Sequence, residues 1–345
     1  MFWQDSDYRE VGEGGNVLKQ YTRLHRFLSL IIAAIVAFGS VGTLAAQSTP
    51  EASPVADGDL RVMSYNTHHS AGNDDCEDPE TAEGEIPEAD CSLDLPRLAD
   101  VILGEDPDIV ALQEVDRFWA RSGGVDQPEE LAGLLEMESC YGANLTHEAD
   151  DHADVNHEYG VATLSRYPII SCENHFVPTT EGWEQRGMLD TRVEVPGIGE
   201  VAIINTHLQA DVSGEPAEAS KQRIEQAEAI SEYVATLDVP VIVMGDLNSE
   251  ADSGELDSLI GPDSGLVDAW VVAGSGTAET IFDGAHGEPT ARIDYIIVSP
   301  HFTPVAVQVI DNDGSRMASD HFPIVADLDF ADIDATPVAS PVLGG

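Results

Sequence analysis

Between Leu60 and Leu328 the chain carries eight short apolar runs, and most of them start or stop on a residue able to bind a cation or move a proton. The runs are LRVMSYN, DIVALQEV, YGVATLS, TRVEV, VAIINTH, PVIVMGD, RIDYIIVS and HFPIVADL. Each has strand length, and several are continuously apolar, as expected of strands covered on both faces. Three helical candidates lie among them: LDLPRLADVILGE, PEELAGLLEM and EPAEASKQRIEQAEAISEYVATL. The late runs are separated only by loops, which predicts antiparallel pairing there. The pattern predicts one layered α/β (or α+β) domain, spanning residues 59–330.

The polar residues at these strand ends carry the chemistry. Asn66 ends the first run, Glu114 the second, His207 that of VAIINTH, and Asp246 with Asn248 that of VIVMGDLN. Asp294 interrupts RIDYIIV, while Asp320 and His321 open the last run. Strand ends are rigid mounts, so groups gathered there can form a site. Carboxylates with amide oxygens suit a hard cation such as Mg²⁺ or Mn²⁺. Two histidines with acidic partners suit proton transfer and oxyanion stabilisation. A carboxylate inside an apolar run is costly alone, so Asp294 predicts a buried partner. Neither a Ser nor a Cys nucleophile signature is present, nor a GxxxxGK[ST] phosphate loop; Gly12, Gly14 and Gly15 lack the strand such a loop needs.

The motifs SYN, LQEV, NTHL, GDLN, IDY and SDH, in that order, resemble the endonuclease/exonuclease/phosphatase superfamily over about 270 residues. One tripeptide is weak evidence; six in order at strand edges are specific. The resemblance implies a four-layer α/β sandwich of two mixed sheets and a metal-dependent phosphoesterase. It implies Glu114 as the principal Mg²⁺ (or Mn²⁺) ligand, with Asn66 and Asp320 on the metal side. Asp246 would orient or deprotonate the attacking water and Asn248 would hold a phosphoryl oxygen. His321 would contact the scissile phosphate with its imidazolium fixed by Asp294, and His207 would serve as second catalytic histidine. Arg166 in LSRYPI and Arg186 in EQRGM resemble recurrent substrate-facing positions, although a salt bridge explains either equally well. His68 and His69 are candidates for a supporting role. His147, His152 and His157 read as part of a solvated acidic loop, and Asn144-Leu145-Thr146 fits a glycosylation sequon.

Charge bears on substrate. Lys and Arg number 15 against 64 Asp and Glu, a net −49. Such a surface repels nucleic-acid backbones, so duplex DNA is disfavoured and a small-molecule or lipid phosphodiester is expected. A nuclease of the same family is the alternative, and a binding protein on an inactive fold the alternative of another class. Residues 27–46 hold no charge and follow a basic segment, 1–26, which predicts a signal peptide or a membrane anchor and an extracellular or cell-surface domain. Pro/Ser/Thr-rich residues 47–58 read as a linker and 331–345 as a low-complexity tail. Outside the cell disulfides become expected, and spacing favours Cys76–Cys91 with Cys140–Cys172. A monomer is expected.

Overall fold

Each half of the domain contains one strand that crosses over through a helix and returns as a parallel neighbour. A computed structural model describes residues 59–72, 94–149, 155–211, 214–282 and 287–331. In chain order the strands are β1 (Asp59–Asn66), β2 (Ile109–Arg117), β3 (Glu138–His147), β4 (His157–Ser165), β5 (Ile169–Phe176), β6 (Gly187–Val195) and β7 (Gly199–His207). They continue as β8 (Val241–Asp246), β9 (Val267–Asp268), β10 (Ile281–Phe282), β11 (Pro289–Ala291), β12 (Asp294–Val298), β13 (Phe302–Val309) and β14 (Ile324–Phe330). The helices are α1 (Leu95–Glu105), α2 (Gln127–Leu135), α3 (Pro216–Val234), α4 (Asp257–Ile260), α5 (Ala269–Ala273) and α6 (Asp313–Ala318).

One sheet runs β13-β14-β1-β2-β4-β3 and the other β5-β6-β7-β8-β12-β9, with β10 and β11 as a separate hairpin. Both are mixed. Among the described strands only β1–β2 and β7–β8 pair in parallel, and these are the pairs whose connections carry α1 and α3. A parallel return needs a long crossover, and the two helices supply it. Asp94 and Asp126 cap α1 and α2 by accepting the backbone N–H groups of Arg97 and Glu129, and a proline follows each cap by two residues. A carboxylate acceptor and a ring with no N–H to satisfy are both suited to a helix start.

Apolar side chains of β1, β2, β7, β8 and β12, Val62, Ile109, Ile203, Met244 and Ile296 among them, pack between the sheets. On the outer face of the first sheet Leu98, Ile102 and Leu131 of α1 and α2 cover Val110 and Leu112. On that of the second, Ala227, Ile230 and Leu259 of α3 and α4 cover Ile204, Val243 and Tyr295. The four-layer single-domain sandwich expected above is therefore the observed fold.

Three full-length strands escaped the sequence reading: β3, β5 and β13. All three are sheet edges. Edge strands keep one row of backbone groups free and tolerate polar or irregular sequence, so their apolar signal is diluted. β5 (IISCENHF) is half polar, and β13 carries Pro304 at a register shift, where a ladder bond is not required. Two loop expectations change accordingly. His157 opens β4 and is buried, its Nδ1 2.8 Å from the Phe118 carbonyl oxygen, while His147 ends β3; both belong to paired strands rather than to a solvated loop. Asn144 of the sequon is buried within β3 and its Oδ1 accepts from Asn174, so the folded domain withholds it from modification.

Cys140 and Cys172 form the expected disulfide, which ties edge strand β3 of one sheet to edge strand β5 of the other. The Cys76–Cys91 expectation, the segments 1–26, 27–46 and 47–58, and His152 lie outside the described residues, as does all of the tail but Ala331. Among the described residues no helix is long and apolar enough to cross a membrane.

Candidate active site

Strand register brings the site together. In the first sheet Asn66 pairs with Gln113 at the carboxyl ends of β1 and β2. In the second, His207 pairs with Asp246 at the ends of β7 and β8, and Asp246 pairs with Asp294 at the start of antiparallel β12. Asn66, His207, Asp246 and Asp294 each lie an even number of residues from side chains packed between the sheets, so strand alternation turns them all toward the facing sheet.

Glu114 breaks that alternation. Regular pleating would send it to the helix-covered face with Leu112. Instead it has φ +56° and sits at a bulge in the β2–β4 pairing. A left-handed non-glycine at a bulge is strained backbone, and here the strain re-aims a carboxylate. Thr67 holds the distortion, its Oγ1 donating to the carbonyl oxygens of Gln113 (3.0 Å) and Glu114 (3.2 Å). Gly245 is the corresponding device in β8: at φ +153° any Cβ there would run into the Thr206 carbonyl oxygen.

Asn66 is the hinge between the sheets. Its Nδ2 donates to Glu114 Oε1 at 3.1 Å and to Asp246 Oδ2 at 2.9 Å, while its Oδ1 accepts the His68 backbone N–H. That last bond fixes the amide orientation, so nitrogen faces the carboxylates. Asn66 thus orders the two carboxylates, with its amide oxygen turned to the backbone.

His321 Nδ1 lies 2.9 Å from Asp294 Oδ2, and its Nε2 lies 3.7 Å from Asp246 Oδ2. The partner expected for buried Asp294 is present. Burial alone would lower the His321 pKa, but the carboxylates of Asp294 and Asp246 outweigh it and hold the ring well above its usual value. His207 goes the other way: burial first, then the charges of Arg186 and His321, push it well below. Its Nε2 takes the Asn248 Nδ2 at 2.9 Å, and the same nitrogen donates to the Leu208 carbonyl at 3.1 Å. The amide is therefore the donor and His207 the neutral acceptor. Two histidines in one site are held in opposite charge states, an arrangement that separates acid from base roles.

The carboxylates are under strain of another kind. Burial, then the neighbouring Asp294, pushes Asp246 up to about 7. Burial, then Asp320, raises Glu114. Too many carboxylates for the local cations is the condition that a bound divalent cation relieves. Asp246, Asp294 and His321 bring ligand atoms within 4.8 Å of one another and form a buried group able to hold such an ion. Glu114 shares the Asn66 amide with Asp246 and feels the charge of Asp320. The His321 ring is already engaged by Asp294, so the carboxylate oxygens at this rim are the donors suited to a hard ion.

Arg186 and Arg166, expected as a pair, are separated. Arg186 is only 4 % exposed and its charge is felt at Glu114 and Asp246. Its Nη1 lies 2.9 Å from Glu184 without hydrogen-bond alignment, and both Nε and Nη1 lack a bonded acceptor. Arg166 lies at the other rim. It follows β4 where Ser165 pairs with Ile109, at the amino end of β2, and binds Asp106 and Asp108. Five residue steps along β2, roughly 17 Å, separate that end from Glu114. The substrate-binding expectation for Arg166 is corrected to a salt bridge.

Several supporting residues went unread. Gln113 Nε2 donates to Asn205 Oδ1 (2.8 Å), and Asn205 Nδ2 donates to the Leu112 and Ala162 carbonyls, forming a buried polar bridge beneath the site. Ser319 Oγ donates to the Asn66 carbonyl (2.8 Å) and accepts the His321 N–H, and Thr280 Oγ1 accepts from the N–H of Asp294. A signal existed for Asn205: it precedes His207 by two and so shares its inward face, where an amide is costly unless bonded.

Two facing mixed sheets with carboxylates, amides and imidazoles on one rim are the architecture of metal-dependent phosphoesterases. The family model described as endonuclease/exonuclease/phosphatase matches residues 63–321, and the chain belongs to that family. Its members are hydrolases, generally metal-dependent phosphoesterases. A Beutenbergia cavernae endonuclease/exonuclease/phosphatase structure is 27% identical, with 79% of this chain and 72% of that chain covered at a TM-score of 0.59. The human Nocturnin catalytic domain (20% identity, 79% and 94% covered, TM-score 0.55) and a humanized D. rerio TDP2 (20%, 79% and 99%, 0.54) share the fold. Among curated proteins none matches the chain.

Proposed function

We propose that the protein is an exported, divalent-cation-dependent phosphoesterase that hydrolyses a small-molecule or lipid-type phosphodiester by attack of water. One observation carries the reading: Asn66 draws Glu114 of one sheet and Asp246 of the other onto a single amide nitrogen. Two buried carboxylates drawn that close are an arrangement that a bound divalent cation relieves. Glu114, Asp246 and Asp320 would hold Mg²⁺ or Mn²⁺, which when bound neutralises phosphoryl and leaving-group oxygens. Asp246, with Oδ2 2.9 Å from the Asn66 amide and 3.7 Å from His321 Nε2, would orient the attacking water. His321, kept cationic by Asp294, donates from Nε2 toward a phosphoryl oxygen. Arg186 supplies its unengaged N–H groups to the same phosphate, and Asn248, released from His207, supplies an amide. Export rests on the apolar residues 27–46 with their basic flank, and a monomer suffices because every group named comes from one chain.

Duplex DNA is disfavoured. A polyanion needs several cationic contacts, and the domain after residue 46 has one Lys and ten Arg. The test is turnover of bis(p-nitrophenyl) phosphate and of duplex DNA across salt concentrations, with Mg²⁺, Mn²⁺ or a chelator. Turnover of the diester that chelation or Glu114→Gln lowers by roughly a thousandfold supports the reading. Undiminished activity in chelator refutes it, and fast DNA cleavage that falls steeply with salt favours the nuclease alternative.

A further inference from the structure

Every described Arg and Lys makes an ion pair, and two of them, Arg121 and Arg186, feel the charge of Glu114. Arg186 is buried against the phosphate position assigned above. Arg121 differs: its side chain is 39% exposed, in the short turn Ala120–Ser122 that follows β2, and yet it is held rigidly. Its Nε and Nη2 donate to the two oxygens of Asp116 at 2.8 and 2.9 Å. The Asp116 carboxylate is fully buried, and its backbone N–H is tied to buried Gln127. The guanidinium carbon lies 5.2 Å from the Trp119 ring and 5.4 Å from the Tyr159 ring. Nη1 makes no hydrogen bond to any described residue.

A buried carboxylate needs a cation, which accounts for the pairing with Asp116. It does not account for a fork walled by two aromatic rings, with one nitrogen left open, beside Glu114. Holding the fork in advance removes most of the ordering cost that an arginine meets on binding an anion. Tyr159 feels the charges of both Arg121 and Arg186.

We infer that Arg121 is a specificity-determining residue that grips a second phosphate on the substrate. Resting on the phosphoesterase reading, this narrows the class to nucleotide-sized phosphodiesters that carry a further phosphate, and away from diesters whose remainder is neutral or zwitterionic.

The experiment compares the p-nitrophenyl ester of thymidine 5′-phosphate with the same ester bearing a 3′-phosphate, using the full chain with Mn²⁺. One charge-assisted contact predicts a preference of about tenfold or more for the second ester, expressed in KM. Arg121→Gln should bring the ratio close to one, and Arg121→Lys should retain part of it. No preference in the parent protein, or equal losses on both esters in Arg121→Gln, overturns the assignment. Should Arg121→Gln fold poorly with Asp116 unpaired, the double variant D116N/R121Q removes the buried charge and gives the same comparison. Calorimetric binding of thymidine 3′,5′-bisphosphate against thymidine 5′-monophosphate needs no turnover, so it separates the two readings. If neither ester is hydrolysed but the bisphosphate binds about tenfold more tightly in an Arg121-dependent way, the subsite stands and the phosphoesterase reading falls. Equal affinities overturn the subsite.

Discussion

Replacing Glu114 by Gln should stabilise the cation-free fold while destroying activity. Both carboxylate oxygens bridged by Asn66 sit on one nitrogen, at 3.1 and 2.9 Å. They are therefore no more than about 6 Å apart, and two unit charges at that distance repel by about 3 kcal/mol at an effective dielectric of about 20. The substituted amide would keep its oxygen toward Asn66 and lose the charge. The gain depends on pH. Asp246 is raised to about 7, so its folded form binds a proton more tightly than its unfolded form. The native state thus loses stability as pH rises from the usual carboxylate value through about 7, when both groups become charged. Urea unfolding in chelator should show Glu114→Gln more stable by roughly 1–3 kcal/mol at pH 8, with the difference nearly absent at pH 5. Adding Mg²⁺ or Mn²⁺ at pH 8 should stabilise the parent protein by about 2.7 kcal/mol at a hundredfold excess over Kd, and the variant far less. A Glu114→Gln protein that is less stable than the parent at pH 8 in chelator would refute the reasoning, since it would mean that the repulsion is already relieved within the chain.

Asp294→Asn removes the carboxylate that keeps His321 charged, so the His321 pKa should fall and the alkaline limb of activity should move to lower pH. An NMR titration giving the same His321 pKa in both proteins would contradict the pairing. Asp246→Asn and His321→Ala should each cripple turnover with the fold intact, and the double variant should be little worse than either, because the groups act as a unit; additive losses in kcat/KM would count against this. Removing the Cys140–Cys172 bridge, which spans 32 residues, should cost roughly 3–4 kcal/mol in denaturant unfolding, with kcat unchanged because the bridge joins edges remote from the rim catalytic groups. A large fall in kcat at full folding would place the bridge in the site's support.

The apolar runs determined the interior strands, because a strand covered on both faces must be apolar along its length. β1, β2, β4, β7, β8 and β12 were legible for that reason, and so were the residues at their ends. The edges β3, β5 and β13 were not, since half of each faces solvent and no local pattern separates them from loop. Alternation likewise predicted that Asn66, His207, Asp246 and Asp294 face inward, but it gave the wrong face for Glu114. A bulge and a left-handed residue overrule pleating, and they are held by Thr67, far away in sequence. The two arginines show the same limit. Arg166 and Arg186 read alike as substrate-facing or salt-bridged cations, and only the antiparallel β2–β4 register sends one to the rim opposite the other. Which histidine is charged was likewise decided by tertiary structure: a ring's proton follows burial and its neighbours' charges, and those neighbours, Asp294 for His321 and Arg186 for His207, are brought close only when the sheets pack.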